Sequence, residues 1–76
     1  MENKIKGLFA TVLKIPLNKI SDDLSPDKAE EWDSLDHLNL ISSFEEEFSV
    51  EIEPEEIKEM NKDYETFKSI ILKKIG

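Results

Sequence analysis

Ser34 and His37 are the two side chains of this sequence that could perform nucleophilic chemistry together. They lie three positions apart, so on a helix they would be surface neighbours, and the chain has no cysteine and no second histidine. A serine nucleophile also needs a group that orients its base and a pocket for its substrate, and 76 residues leave little room for one. The sequence therefore argues against an enzyme, and it predicts that His37 is an exposed helix residue beside Ser34.

The residues around Ser34 predict the start of a helix. Asp33 can accept a hydrogen bond from a free amide of the first turn. Asp36 lies where the helix dipole favours a carboxylate, and it could reach back towards the cap. Ser34 then falls in the exposed first turn, where a phosphate ester would lie beside unpaired amides. Taken alone, these residues are explained more simply as an ordinary helix start.

A longer stretch of the sequence carries a resemblance to a known family. In order, its features are Asp33-Ser34-Leu35-Asp36, Leu38, Leu40, Ile41, the run Phe44–Phe48, Val50–Ile52 and Pro54–Ile57. This order and spacing resemble the acyl carrier protein family, in which an Asp-Ser-Leu motif opens the second helix and its serine carries 4'-phosphopantetheine. The resemblance extends over nearly the whole chain, although the part before Glu31 matches only in pattern.

The resemblance implies a specific set of functional residues. Ser34 would anchor a covalent 4'-phosphopantetheine arm, added by a phosphopantetheinyl transferase, on which acyl groups travel as thioesters to partner enzymes. Asp33, Leu35 and Asp36 would belong to the motif that the transferase recognises. An acidic surface on and after the second helix would contact basic patches of the partner enzymes. The residues assigned to this partner surface are Asp36, Asn39, Glu45, Glu46, Glu47, Glu55 and Glu56.

Four positions depart from the members of this family that serve fatty-acid synthesis. Trp32 replaces the small residue that usually precedes the motif, and we expect it to pack the loop end onto the bundle. Asn39 stands where an acidic residue is common. Ser42 and Ser43 occupy positions that are usually apolar or small, so a long acyl chain would meet a polar wall if Ser42 faced the interior. These departures suggest a specialised carrier with a short or polar cargo.

A second interpretation is an acidic helical interaction module that carries no arm. Glu45, Glu46 and Glu47 crowd the end of a predicted helix, where the dipole disfavours them without an evident structural return. Such a charge run is usually a solvated face. The module explains the charge and the helices as well as a carrier does, and only the context of the Asp-Ser-Leu motif separates the two.

Length and charge restrict the classes of function. The 76 residues predict one domain over 1–76, and a net charge of −8, from 18 acidic and 10 basic residues, argues against nucleic acid and anionic membranes. No apolar run approaches the roughly 20 residues of a membrane span. Because no signal-peptide pattern is present, we expect the protein in the cytoplasm. We also expect it to be a monomer.

Hydrophobic periodicity predicts an all-α fold, a small four-helix bundle of three longer helices and one short one. The predicted helices are residues 2–14, Ser34–Phe48, a short helix beginning at Pro54 and ending at Asn61 and Lys62, and a last helix capped by Asp63. On the second helix the predicted apolar stripe follows Leu38, Ile41, Glu45 and Phe48, broadened by Leu35, Leu40 and Phe44.

The connection from Ile15 to Asp33 is long for a compact domain. Leu17, Ile20 and Leu24 are apolar, so we expect them to hold the loop against the core. The acidic cluster of Asp22, Asp23 and Asp27 does not fit a calcium-binding EF-hand, because apolar residues and a lysine fall at ligand positions. We predict no metal site, and weak surface binding of divalent cations stays open.

Overall fold

The computed structural model describes residues 1–76 and contains helices but no strands. The helices are α1 (Glu2–Leu13), α2 (Ser34–Phe48), α3 (Pro54–Met60) and α4 (Tyr64–Ile75), with a short 3₁₀ turn at Leu17–Lys19. The predicted four-helix bundle is therefore confirmed, including both ends of α2. None of the helices has the length and apolar content needed to cross a membrane.

The ends of the helices follow from local hydrogen bonds. The Asp33 carboxylate accepts from the Asp36 amide at 2.8 Å, and the Asp63 carboxylate accepts from the Thr66 amide at 2.8 Å, so both predicted caps are present. α1 ends one residue earlier than predicted, because Lys14 adopts a left-handed conformation with φ of 59°. The caps of α2 and α4 each join residues three positions apart, which is why the sequence could predict them.

α1 and α2 run antiparallel. The Lys4 ammonium lies 3.4 Å from the Glu47 carboxylate, and one turn later Leu8 shares a cleft with Ser43 and Glu46. The contacting residues of α2 have lower numbers as those of α1 have higher ones, so the amino end of α2 lies beside the carboxyl end of α1. The start of α2 is therefore well separated from the acidic run at its other end, by roughly 20 Å along the helix.

Aromatic rings occupy the centre of the bundle. Phe67 of α4 lies 5.2 Å from Phe9, 4.9 Å from Phe44 and 6.4 Å from Trp32, measured between ring centroids. These four side chains have no solvent exposure, and the edge-to-face geometry of the three contacts is the arrangement that aromatic pairs favour. Trp32 thus packs the end of the loop onto the bundle, as predicted.

The long loop is held to the bundle at its centre. Ile20 and Leu24 are buried, as predicted, but Leu17 is 54% exposed, so its prediction was wrong: it opens the 3₁₀ turn, none of whose residues is buried. The Tyr64 amide donates to the Leu24 carbonyl at 2.8 Å, which ties the loop to α4. The Lys68 ammonium donates to Asp22 at 3.0 Å, and this hydrogen bond raises the pKa of Lys68.

Acid should weaken the fold through the α4 cap. Hydrogen bonds with Thr66 hold the pKa of Asp63 below its ordinary value. The folded state therefore binds this proton less readily than the unfolded state, so the cap stabilises the fold above about pH 4 and loses that effect as the pH falls. We expect Asp63→Asn to show a smaller fall in the free energy of unfolding than the wild type between about pH 5 and pH 3.

Urea unfolding followed by circular dichroism at the two pH values measures this difference. The matched control is Glu65→Gln, which neutralises the adjacent exposed carboxylate of α4. Equal acid sensitivity of Asp63→Asn and the wild type would contradict the assignment of acid sensitivity to the cap.

Candidate functional site

Ser34 is the first residue of α2, and its side chain is exposed. The Asp33 carboxylate accepts a hydrogen bond from the Asp36 amide, and the Asp33 carbonyl accepts one from the His37 amide at 2.8 Å. The backbone that presents Ser34 is therefore fixed on both sides of the residue. An exposed hydroxyl at the positive end of a helix is accessible for attachment of a phosphate ester. The helix dipole favours that anion and the neighbouring Asp33 carboxylate partly opposes it, so the electrostatics permit the attachment.

Leu35 and Leu38 do not belong to the core. They are 70% and 56% exposed, whereas the buried face of α2 consists of His37, Leu40, Ile41 and Phe44. At 100° per residue, Leu35 lies on the side of the helix opposite Phe44. The predicted apolar stripe therefore lay partly on the solvent-exposed side of α2, and including these two leucines in it was wrong. They place an apolar surface directly beside Ser34.

Asp36 contacts the next turn rather than the cap. Its carboxylate accepts a hydrogen bond from the Asn39 side-chain amide at 3.3 Å. The reciprocal contact back to the cap, which the sequence suggested, is therefore not made by this side chain. A reciprocal capping box occurs instead at the start of α3, where the Glu53 amide donates to the Glu56 carboxylate at 2.8 Å.

His37 is buried rather than exposed, so its prediction was wrong. It is 5% exposed, and the Trp32 indole N–H donates to its Nδ1 at 3.0 Å. Because an indole nitrogen only donates, Nδ1 is the acceptor, and Nε2–H donates to the Ile57 carbonyl at 2.8 Å. Both ring nitrogens are committed to structural hydrogen bonds, so His37 is not poised as a base for Ser34. Its spacing from Leu40, Ile41 and Phe44 is the signal that could have shown this.

The acidic residues of the predicted partner surface have different roles. The Glu45 carboxylate accepts from the Ile52 amide at 2.9 Å. It therefore holds the crossover after α2 in place, so this glutamate does have a structural role. Glu47 pairs with Lys4 at 3.4 Å, and Glu56 pairs with Lys74 at 2.7 Å. Glu46 is exposed, as is Glu55 at the start of α3.

Five exposed residues of α2 form one continuous stripe. Leu35, Leu38, Asn39, Ser42 and Glu46 recur at intervals of three and four positions, and all are exposed. We call these five residues the outer stripe; it begins beside Ser34 as an apolar surface and becomes acidic at Glu46. Ser42 faces solvent, so it does not place a polar wall inside the bundle.

Two carboxylates of the acidic loop cluster, those of Asp22 and Asp23, are engaged with neighbouring side chains. Asp23 accepts from the Ser21 hydroxyl at 2.6 Å and from the Lys28 ammonium at 3.1 Å, while Asp22 accepts from Lys68. No group of three or more aspartate, glutamate, histidine or cysteine side chains is arranged to hold a metal ion.

Comparison with known proteins identifies the family. Residues 3–71 match the family described as the phosphopantetheine attachment site. The chain belongs to the acyl carrier protein family. It is 38% identical over 61 residues, 80% of this chain and 77% of its relative, to the acyl carrier protein of Buchnera aphidicola subsp. Schizaphis graminum (strain Sg). The family resemblance noted from the sequence is thus confirmed.

An acyl carrier protein transports acyl groups and catalyses no reaction itself. Its cofactor is a covalently attached 4'-phosphopantetheine, whose terminal thiol supplies the thioester chemistry. As a carrier, the chain is modified by a transferase and works with enzymes that handle acyl groups. The exposed serine at the capped start of α2 fits the phosphodiester end of this group, since the hydroxyl is accessible and the helix dipole favours the anion.

Proposed function

We propose that Ser34 is the residue to which the 4'-phosphopantetheine arm of this carrier is attached. The observation that supports this assignment is the exposed Ser34 side chain at the amino end of α2, directly after a cap in which Asp33 holds the Asp36 amide at 2.8 Å. This geometry keeps the serine in one orientation towards an approaching transferase. The hydroxyl needs no activation by the carrier, because the transferase supplies the catalytic groups.

Asp33, Leu35 and Asp36 surround Ser34 with the contacts that a transferase could recognise. Asp33 orients the serine through the cap, and Leu35 is the large apolar side chain most accessible beside the hydroxyl, at 70% exposure. The Asp36 carboxylate is held in place by Asn39. We propose that the transferase recognises these residues as one surface, in which burial of Leu35 contributes affinity and the carboxylates contribute orientation.

The outer stripe is the surface that we propose for docking of partner enzymes. An enzyme that acts on a group tethered at Ser34 must cover the start of α2, where Leu35 and Leu38 are exposed. The acidic part of the surface, with Glu46 and the exposed Glu55, would attract basic patches on that enzyme. Glu45, Glu47 and Glu56 are already engaged within the fold, so they contribute to the field more than to direct contacts.

The attachment site can be located by mass spectrometry. The purified chain is incubated with a phosphopantetheinyl transferase and coenzyme A, and its intact mass should increase by one phosphopantetheine. After digestion with trypsin, fragmentation of the peptide spanning 29–58 should place the added mass on Ser34 rather than on Ser42, Ser43 or Ser49. Added mass on another serine would overturn the assignment.

Reversal of one charge tests the docking surface. We expect Glu46→Lys to lower kcat/KM for loading by the transferase by about threefold to tenfold at low salt, with a smaller effect at high salt. Stability should change little, since Glu46 is exposed. Glu45 is unsuitable for this test, because its replacement also removes the hydrogen bond to Ile52.

The matched control for Glu46→Lys is Glu65→Lys, which makes the same change of net charge at an exposed position of α4. Steady-state loading rates at two salt concentrations compare the two variants. If both variants lose the same activity, the effect belongs to net charge and not to the outer stripe. If neither changes, the surface is not used by that enzyme.

Other expectations from the sequence stay predictions. These are that residues 1–76 form a single carrier domain, that it is a monomer located in the cytoplasm, and that it does not bind nucleic acid. The net charge of −8 supports the last of these.

A further inference from the structure

Two linked hydrogen bonds, one buried and one partly buried, join three segments of the bundle near the start of α2. The Trp32 indole donates to His37 Nδ1 at 3.0 Å, and His37 Nε2 donates to the Ile57 carbonyl at 2.8 Å. We call this the Trp32–His37–Ile57 bridge; it joins the end of the loop, the first turn of α2 and α3. The function described above does not use it.

Aromatic side chains fill the space around the bridge. Trp32 is fully buried, with its ring 5.1 Å from Phe9, and both Trp32 and His37 lie 6.4 Å from Phe67. The two clefts of the molecule are elsewhere. One, of about 190 Å³, lies near Asp22 and Lys68, and the other, of about 220 Å³, lies between Leu8 and Glu46.

An acyl chain carried at Ser34 would gain free energy from each methylene that it buries. To enter the bundle beside Ser34, it would have to separate α3 from α2 or displace Trp32. Either movement breaks a hydrogen bond of the bridge and leaves the buried indole N–H or imidazole, or the partly buried Ile57 carbonyl, without a partner, which is costly. A short or polar acyl group gains too little from burial to offset this cost. A longer chain would in addition have to push apart the closely packed rings of Phe9, Trp32 and Phe67, which have no solvent exposure.

Building on the proposed attachment at Ser34, we propose that Trp32 and His37 close the bundle beneath the arm, so that the acyl group stays outside and the carrier is suited to short or polar acyl groups. His37 is thus a specificity-determining residue: it contacts neither the arm nor the thioester, but it holds α3 and Trp32 in the closed position.

The test compares carriers loaded with acetyl and with octanoyl groups, after intact mass has shown that loading is complete. Trp32 is the only tryptophan, so the NMR resonance of its indole N–H reports directly on the bridge. We expect this resonance to have the same position in both loaded forms, and their thermal midpoints to agree within about 1 °C. In His37→Ala, the octanoyl form should melt several degrees above the acetyl form, because the chain fills the space that the imidazole vacates.

The matched control is Ile5→Ala, which opens space in α1 at the end of the bundle far from Ser34 and should show no gain from the octanoyl group. A shifted Trp32 resonance or a raised midpoint in the octanoyl-loaded wild type overturns the proposal, even if His37→Ala does not fold. A chain that gains no mass on loading overturns the proposed attachment, whereas a shifted resonance in a fully loaded chain overturns only the closed bundle. The two failures are therefore distinguishable.

Discussion

Replacing Ser34 with alanine is expected to abolish attachment of 4'-phosphopantetheine while leaving the bundle folded. The side chain is exposed, and the Asp33 cap accepts from the Asp36 amide, which the substitution does not touch. Alanine is also favourable in a helix, so the free energy of unfolding should change by less than about 0.5 kcal/mol. Intact mass after incubation with a transferase and coenzyme A measures the loss, and circular dichroism measures the fold.

The control for Ser34→Ala is Ser42→Ala, which removes another exposed hydroxyl from the same helix. This variant should gain the mass of one phosphopantetheine as the wild type does. If Ser34→Ala still gains that mass, another residue carries the arm. If Ser42→Ala also fails, the surface around the serine, and not the hydroxyl itself, is what the experiment has disturbed.

Replacing Phe67 with alanine should have the largest effect on stability. Phe67 is fully buried, and its ring contacts those of Phe9, Phe44, Trp32 and His37. Loss of such a side chain typically costs about 3–5 kcal/mol, because a cavity remains where the ring was. Small domains are stable by only about 5–15 kcal/mol, with the shortest near the lower limit, so a large fraction of Phe67→Ala should be unfolded.

Urea unfolding followed by circular dichroism measures the effect of Phe67→Ala. Phe48→Ala is the matched control, since Phe48 is only half-buried. Its ring stacks on that of Phe44, with 5.6 Å between the two centroids. We expect this control to lose less than half as much free energy of unfolding. Equal losses in the two variants would show that Phe67 is not the centre of the aromatic core.

The positions of the helices could be predicted from the sequence because their ends depend on neighbouring residues. Asp33 caps α2, Asp63 caps α4, and Pro54 begins α3. Each of these interactions lies within a single turn, so no knowledge of the rest of the fold was needed. The position of Ser34 as the first residue of α2 followed from the same local chemistry.

The orientation of side chains on α2 could not be predicted in the same way. Leu35 and Leu38 are apolar and yet exposed, while the polar His37 is buried at 5% exposure. Periodicity ranks residues by polarity, whereas burial depends on which elements pack against the helix. Here the partners of His37 come from the loop and from α3, as many as 20 positions away in the chain.

The sequence alone therefore determined the helical class, the starts of α2, α3 and α4, and the exposed serine of the Asp-Ser-Leu motif, since these depend mainly on near neighbours in the chain. The tertiary structure alone decided which glutamates remain free and what lies beneath Ser34. Glu45 is engaged with Ile52 because the crossover passes beside the end of α2, whereas Glu46 is exposed. His37 is held inside because Trp32 and Ile57 meet its two nitrogens, and that meeting exists only once the loop and α3 have packed against α2.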